Sequence, residues 1–179
     1  MADGPVAGNE CWFRVVTNED HITRDRTLHY QALKGKQFCP SLGKKWSHEL
    51  SGRIVSLAGD KASIERQARS FIQDVRNRYQ ANNPGKKVPD KFIFAGVACR
   101  RVADLRSPSL RRLTSDVVYT PEPADCAHSD IVLYGAKQDA DVNPIRDWLR
   151  GALRVITPSQ LNLLVSSCGE AVLPVRRSP

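Results

Sequence analysis

Apolar residues recur at three- and four-residue steps between positions 61 and 79, and this spacing predicts an amphipathic helix. The positions that share this face are Ile64, Ala68, Phe71, Ile72, Val75 and Tyr79. Asp60 belongs to the residue types that cap helix N-termini, and the segment NNPGKKVP that follows Ala81 ends the pattern. The helix therefore has one core-facing side and a basic outer side, which carries Lys61, Arg66, Arg69, Arg76 and Arg78.

Short runs rich in β-branched and aromatic residues predict five strands. These runs are CWFRVV (11–16), RIVSLAG (53–59), KFIFAGVACRRV (91–102), DVVYTP (116–121) and DIVLYG (130–135). The last two are joined by a loop longer than a tight turn, and their spacing permits an antiparallel hairpin. The polar stretch 17–48 between the first two strands predicts a long loop, with room for a short helix within residues 26–36.

A second helix is predicted over residues 143–156, because Asn143 and Pro144 form a typical helix start before an apolar face. The motif TPSQ at 157–160 predicts the start of a further short element. This order of strands and helices is too irregular for a doubly wound sheet. We therefore predict an α+β fold, with a mostly antiparallel or mixed sheet of about five strands and the two main helices packed on one face.

A single domain is expected over residues 11–170, between a flexible tail at 1–10 and a flexible basic tail at 171–179. Of the 179 residues, 41% are hydrophobic and 26% are charged, which is typical of a globular chain. No apolar run has the length of a membrane span, and residues 1–10 show no secretory signal. We expect no membrane association.

The five cysteines are odd in number, widely spread and without a C-x-x-C pair. This distribution favours neither a disulfide framework nor a structural zinc site. We interpret the cysteines as reduced thiols of a cytoplasmic protein, several of them buried, and expect neither a metal nor a cofactor.

Motifs for several enzyme classes are incomplete in this chain. The segment SHELSG (47–52) begins like the H-E-x-x-H motif of zinc proteases, but Gly52 stands where the second histidine is required. The LGKK segment lacks the first glycine and the Ser/Thr of a phosphate-binding loop, and there is no G-x-S-x-G motif.

The net charge of +8, from 27 Lys and Arg against 19 Asp and Glu, suits an anionic partner such as nucleic acid or an acidic protein surface. The loop over residues 100–112 has Asp104 as its only acidic residue, and with the basic helix face it can form a phosphate-binding stripe. A solvated basic surface is the alternative. The residues of the predicted stripe are Arg66, Arg69, Arg76, Arg100, Arg101, Arg106, Arg111 and Arg112.

The segment PEPADCAHSDIVLYG (121–135) delivers His128 to the start of a predicted strand. In one interpretation His128 hydrogen-bonds a nearby backbone carbonyl, and Asp130 has a similar structural role. In the other, His128 meets His21 or His29 from the long loop, and the two histidines act as acid and base in metal-independent cleavage of RNA. A local pairing with Cys126 is not expected, because a catalytic Cys/His pair normally comes from separate segments.

Three short segments together are similar to a widespread family of small, uncharacterised bacterial domains. They are TLHYQALKGK, LSGRIVSL and TPEPADCAHSDIV, and the similarity covers residues 25–135. The chain departs from the family pattern at Leu33, Gly52 and Ser129, and by a longer helical insert. The resemblance implies no reaction, but it draws attention to Ser51 and His128, which stand at motif positions.

Three hypotheses for the function follow. The first is a basic binding or accessory module that contacts nucleic acid or an acidic protein partner, with a bacterial defence or mobile-element setting as one possibility. The second is a nuclease-like hydrolase that uses His128 with His21 or His29. The third is a structural subunit of a larger protein complex, in agreement with the long loop and the apolar C-terminal segment.

Overall fold

The fold is an α+β arrangement built on one antiparallel sheet. The computed structural model describes residues 4–33, 39–40, 48–106, 113–136 and 142–168. Within these ranges the strands are Gly4–Pro5 (β1), Cys11–Val16 (β2), Cys39–Pro40 (β3), His48–Ile54 (β4), Gly96–Arg101 (β5), Thr114–Tyr119 (β6), His128–Tyr134 (β7) and Arg154–Ile156 (β8). The helices in the same ranges are Val55–Ala58 (α1), Lys61–Asn82 (α2), Val102–Leu105 (α3), Asn143–Ala152 (α4) and Leu164–Cys168 (α5), with 3-10 helices at Glu19–His21, Tyr30–Leu33 and Pro158–Leu163.

Seven strands lie side by side in the order β1–β6–β7–β4–β2–β5–β8, and β3 pairs with β4 beside this row. The predicted hairpin is confirmed, since β6 and β7 pair from Thr114 opposite Tyr134 to Tyr119 opposite Ser129. The sheet is larger than the predicted sheet of about five strands. The additional strands β1, β3 and β8 are only two or three residues long, which is too short to produce a hydrophobic pattern.

Alternate residues of the interior strand β2 enter different apolar cores on the two faces of the sheet. Trp12 and Val16 pack in the core that includes residues of α3 and α4. Phe13 and Val15 pack on the opposite face, where α1, α2 and α5 contribute the apolar side chains. The prediction that the helices cover one face is therefore wrong. The run CWFRVV is apolar at five of six positions, as expected for a strand that is buried on both sides.

The second predicted strand, over residues 53–59, is placed too late in the chain. The strand is β4, and Val55 begins the short helix α1. Within β4, Leu50 and Ile54 are buried toward the core and Gly52 lies between them, whereas Ser51 is exposed. The glycine interrupts the apolar alternation, and this interruption hides the strand in the sequence.

The long predicted helix is confirmed as α2, which buries Ile64, Ala68 and Ile72. Asp60 caps its N-terminus, since the carboxylate oxygen Oδ1 accepts a hydrogen bond of 2.8 Å from the backbone N–H of Ser63. Hydrogen bonds from the Ser63 side chain, and then from its backbone, hold the pKa of the Asp60 carboxyl below its ordinary value.

Replacing Asp60 with asparagine is expected to remove a pH-dependent part of the stability. Because the pKa of Asp60 is lowered by folding, its stabilising effect is present above about pH 4 and is lost as the pH falls through the lowered pKa. Asparagine caps helices equally well without titrating, so the melting temperatures of Asp60→Asn and wild type should agree at pH 7 within about 2 °C. At pH 3 the variant should melt higher relative to wild type than it does at pH 7. An identical difference at both pH values, measured by circular dichroism, would contradict this role.

The predicted helix over residues 143–156 ends earlier, at Ala152. Leu153 closes the last turn, because its N–H donates to Leu149 O at 2.9 Å, and the chain then extends as β8 along β5. The apolar positions of the pattern thus belong to two elements: Ile145, Leu149 and Leu153 lie in the core that includes α3 and α4, whereas Ile156 lies in the core on the opposite face of the sheet.

The segment before Cys11, interpreted from the sequence as a tail, contributes β1 at the edge of the sheet, and Val6 is buried. The predicted tail at 171–179 lies outside the described residues. In the part of the chain that is described, the helices include none that is both long and apolar enough to cross a membrane.

Candidate functional site

The loop that joins β6 to β7 is fixed by its own hydrogen bonds. Glu122 and Asp125 exchange backbone hydrogen bonds of 3.2 and 3.0 Å, and the N–H of Thr120 donates to His128 O at 3.2 Å. The Asp125 carboxylate also forms an ion pair with Arg53 on the neighbouring strand β4, at 2.7 Å between Nε and Oδ2. The loop therefore holds the start of β7 in one position.

His128 is held through Nδ1, which lies 2.8 Å from the carbonyl oxygen of Thr120 and 3.1 Å from its hydroxyl oxygen. A carbonyl oxygen can only accept a hydrogen bond, so we assign the proton of the neutral ring to Nδ1. The other nitrogen, Nε2, lies 3.7 Å from Oε1 of Glu122 and 3.9 Å from Oδ1 of Asp130. Nε2 therefore faces two carboxylates.

Asp130 is the most deeply buried charged group of this region, with 2% of its surface exposed. Its Oδ2 accepts a hydrogen bond of 2.6 Å from the hydroxyl of Thr120. Its Oδ1 has no hydrogen-bond partner among the described residues. We refer to Thr120, Glu122, His128 and Asp130 as the His128 cluster. Burying a carboxylate is costly unless it is hydrogen-bonded. The hydrogen bond from the Thr120 hydroxyl is therefore the main interaction that offsets the cost of burying Asp130.

The two histidines of the long loop lie away from the His128 cluster. Thr27, two residues before His29, pairs with Arg154 in β8, whereas His128 is in β7. Four strand spacings separate β7 from β8 in the sheet, which corresponds to about 19 Å. The hydrogen-bond and ion-pair partners of the His128 side chain are Thr120, Glu122 and Asp130. The structure does not bring His128 together with either predicted partner.

His21 and His29 do approach each other, since the N–H of His29 donates to His21 O at 2.8 Å. The side chain of His21 lines a cavity of about 200 Å³ between β2, α2 and the long loop, together with Arg14 and Phe71. The guanidinium of Arg14 donates to Ser51 O at 2.5 Å and so bridges β2 and β4 where these strands diverge.

Several arginines of the predicted phosphate-binding stripe are turned into the structure. Arg100 forms an ion pair with Asp104 at 2.9 Å, and its side chain is 15% exposed. Arg106 forms an ion pair with Asp116 at 2.6 Å and also donates to Val6 O. These two residues fix the turn around α3, and the carboxylates that neutralise them lie nearby in the fold. Arg111 and Arg112 lie outside the described residues, and Arg101 is exposed at the end of β5.

Of the three arginines that the predicted stripe takes from α2, one contacts the rest of the fold and two are exposed. Arg76 donates to the backbone oxygen of Phe92 at 3.2 Å and ties the helix to the segment before β5. Arg66 and Arg69 are exposed on the side opposite the buried residues of the helix. We refer to the residues that follow one another on this side, at steps of three and four, as the α2 stripe, which consists of Arg66, Arg69, Gln73, Asn77 and Gln80.

The sequence prediction did not include the three amide side chains of the α2 stripe or the two lysines that follow the helix. Gln73 and Asn77 are exposed and hydrogen-bonded to each other at 2.9 Å. Lys86 and Lys87 are exposed just after the helix. The amides could have been found by extending the helical spacing from Arg66 and Arg69, whereas a count of charged residues alone ignores them.

Comparisons with known proteins give no match, whether with protein-family models, with curated proteins or with solved structures. Among the residues that the structure describes, no three His, Cys, Asp or Glu side chains are arranged to hold a metal ion.

Proposed function

We propose that the protein binds the phosphate backbone of double-stranded nucleic acid through the α2 stripe. The observation that carries this proposal is the composition of the stripe, which consists of two arginines and three amides, all exposed, without a carboxylate among them. Arginine and amide side chains both donate hydrogen bonds, and phosphate oxygens accept them.

The ion pair between Arg69 and Glu65 is compatible with this role. The two side chains are 2.6 Å apart, but that of Arg69 is 66% exposed. Exposed ion pairs of this kind contribute little to stability, so Arg69 can exchange Glu65 for a phosphate at small cost. Arg66 donates to the hydroxyl of Ser63 at 2.9 Å, which is an equally exchangeable contact.

The dimensions of α2 also suit a duplex. A helix of 22 residues is about 33 Å long, which is close to one turn of B-form DNA. Lys86 and Lys87 extend the basic surface beyond the C-terminal end of the helix. Between residues 60 and 91 there are eight Lys or Arg against four Asp or Glu, so this segment carries half of the net charge of the chain.

Binding through this surface is expected to be independent of sequence. Tyr79 and Phe92, the aromatic rings nearest to the end of α2, pack edge to face on each other at 5.6 Å. They are thereby engaged within the fold rather than presented for stacking on bases. Contacts with the phosphate backbone position a protein on a duplex, but they do not distinguish one base from another.

The double substitution Arg66→Gln/Arg69→Gln is expected to weaken duplex binding about 50-fold at about 0.1 M salt, since each lost phosphate contact removes the counterion release that accompanies it. Fluorescence anisotropy with a labelled duplex measures this change. The control is Arg24→Gln/Arg150→Gln, which removes the same charge elsewhere, from an exposed loop residue and from α4 on the other face of the sheet. Equal affinity of the two double variants would contradict the proposal.

An acidic protein surface is the competing partner class, and a competition experiment separates it from nucleic acid. Unlabelled poly-glutamate should displace the labelled duplex much less effectively than an unlabelled duplex at equal charge concentration, because carboxylates lack the regular phosphate spacing. If poly-glutamate competes equally well, the α2 stripe is a general anion surface and the proposal fails.

A further inference from the structure

Three cysteines that are far apart in the sequence meet on the α2 side of the sheet. Cys11 in β2 and Cys99 in β5 lie on neighbouring strands, and Cys168 in α5 packs over both. The thiol of Cys11 reaches this helix, since its Sγ donates a hydrogen bond of 3.8 Å to the backbone oxygen of Val165, three residues before Cys168. All three are free and buried within one apolar cluster.

The three thiols differ in access and in acidity. Cys11 is 8% exposed, whereas Cys99 and Cys168 are fully buried. The hydrogen bond from Cys168 lowers the pKa of the Cys11 thiol, and the nearby Arg101 guanidinium lowers it further against the opposing effect of burial. Hydrogen bonding to Cys11 and Cys99, together with burial, raises the pKa of Cys168. Cys11 therefore has the stronger thiolate character and Cys168 keeps its proton.

We propose that Cys11 and Cys168 form a reversible disulfide when the protein meets a hydroperoxide, which makes this thiol cluster an oxidative modification site. The proposal concerns a different part of the molecule from the α2 stripe and does not depend on nucleic-acid binding.

The chemistry proceeds in two balanced steps. The Cys11 thiolate attacks one oxygen of hydrogen peroxide, the O–O bond breaks, and the leaving hydroxide takes up a proton to become water. Cys11 is left as a sulfenic acid. The Cys168 thiol then attacks the Cys11 sulfur, the S–O bond breaks, and the hydroxyl group leaves as water with the Cys168 proton. Two thiols are oxidised to a disulfide, one peroxide is reduced to two waters, and an added thiol reverses the bond.

The geometry selects Cys168 rather than Cys99 as the partner of Cys11. Cys11 stands opposite Arg101 and Cys99 stands opposite Phe13, so the two strand cysteines are diagonal neighbours. Diagonal neighbours in a sheet are about 7 Å apart, whereas a disulfide requires Cβ atoms at about 4 Å. Cys168 approaches from the helix and is not held by strand spacing. Cys126 is exposed in the loop between β6 and β7 and, unlike its neighbour Ala127, is not part of the apolar cluster.

The test treats the native, reduced full-length protein with hydrogen peroxide, alkylates the remaining thiols under denaturing conditions, and maps the peptides by mass spectrometry. We expect the loss of two of the five alkylatable thiols and a Cys11–Cys168 linked peptide that disappears after reduction. The control Cys126→Ser should give the same linked peptide, since it removes an exposed thiol that is not part of the cluster. In Cys168→Ala the sulfenic acid of Cys11 should persist and react with dimedone.

Three results would overturn the proposal. The first is that Cys11 and Cys168 both remain alkylatable while Cys126 is oxidised. The second is that a Cys99–Cys168 peptide forms before any Cys11–Cys168 peptide, which would remove Cys11 as the attacked thiol. The third is that a Cys11–Cys99 peptide is the main product. The wild-type peptide map decides among these outcomes even if Cys168→Ala does not fold.

Discussion

Gly52→Ala is expected to lower the free energy of unfolding by about 3 kcal/mol, near the upper end of the usual cost of overpacking a core. A Cβ atom at position 52 would lie 2.2 Å from Cζ2 and 2.3 Å from Cε2 of Trp12, and 2.6 Å from the backbone oxygen of Phe13. Trp12 is fully buried, so its indole cannot move aside without disturbing the core. The backbone oxygen of Phe13 belongs to the interior strand β2, which is paired on both edges, and is equally restricted.

Gly151→Ala is the matched control for this substitution. Apart from its chain neighbours and the backbone of its own helix, no atom of the described residues lies within 4 Å of the position that its Cβ would occupy, and the residue is in the last turn of α4. Alanine is favoured over glycine in helices, so this variant should be unchanged or more stable by up to about 1 kcal/mol. Urea unfolding followed by circular dichroism measures both variants. If Gly52→Ala unfolds at the same urea concentration as wild type, the packing of Trp12 over β4 is wrong.

Thr120→Val is expected to lower the free energy of unfolding by about 2–3 kcal/mol, although the two side chains have nearly the same shape. The valine cannot donate to Oδ2 of Asp130, so the buried carboxylate loses the hydrogen bond of 2.6 Å that the Thr120 hydroxyl provides. An ionised group left buried without its donor costs more than the net value of the bond itself. The ring of His128 keeps its contact with the backbone oxygen of Thr120.

Thr120→Ser separates the contribution of the hydroxyl to stability from that of the methyl group. It keeps the donor and removes one methyl group, so its cost should be at most about 1 kcal/mol. A second comparison uses Asp130→Asn, in which the charge is absent and the effect of Thr120→Val should be smaller than in wild type. If Thr120→Val and Thr120→Ser lower the stability equally, the hydroxyl does not support Asp130.

The elements that could be predicted from the sequence are those whose pattern is local and long. The helix α2 has six apolar positions at helical spacing, and its capping residue Asp60 stands directly before them. The hairpin of β6 and β7 consists of two strands that are adjacent in the chain, and each contains a short apolar run, at 117–119 and 131–134. In both cases short-range information is sufficient.

The remaining elements depend on contacts that are distant in the sequence. β8 is a strand because β5 offers it a free edge, and residues 154–156 alone continue the apolar spacing of a helix. In β4, the indole of Trp12 occupies the space in front of Gly52, and this long-range contact replaces the apolar side chain that would reveal the strand. Neither the pairing of β8 with β5 nor the contact between Trp12 and Gly52 can be recognised from a short stretch of the sequence.

A candidate site could be predicted where the residues that its side chains contact could be recognised in the sequence. The basic face of α2 could be predicted because helical spacing determines which residues point outward. The internal ion pair of Arg106 could not be predicted, because Asp116 lies ten residues further along the chain, in β6. The carbonyl contact of His128 is one of the two interpretations of its motif, whereas the meeting of Cys11, Cys99 and Cys168 depends on the pairing of β2 with β5 and on the packing of α5 over both strands.

The salt dependence of duplex binding tests the central claim most directly. If Arg66, Arg69, Lys86 and Lys87 each contact a phosphate, the plot of log affinity against log salt concentration should have a slope of about −3.6 between about 50 and 200 mM salt. The Arg66→Gln/Arg69→Gln variant should give a slope of about −1.8, and Arg24→Gln/Arg150→Gln should match wild type. An affinity that does not change with salt, an absence of binding at low salt, or an unchanged slope in the α2 variant would contradict the account.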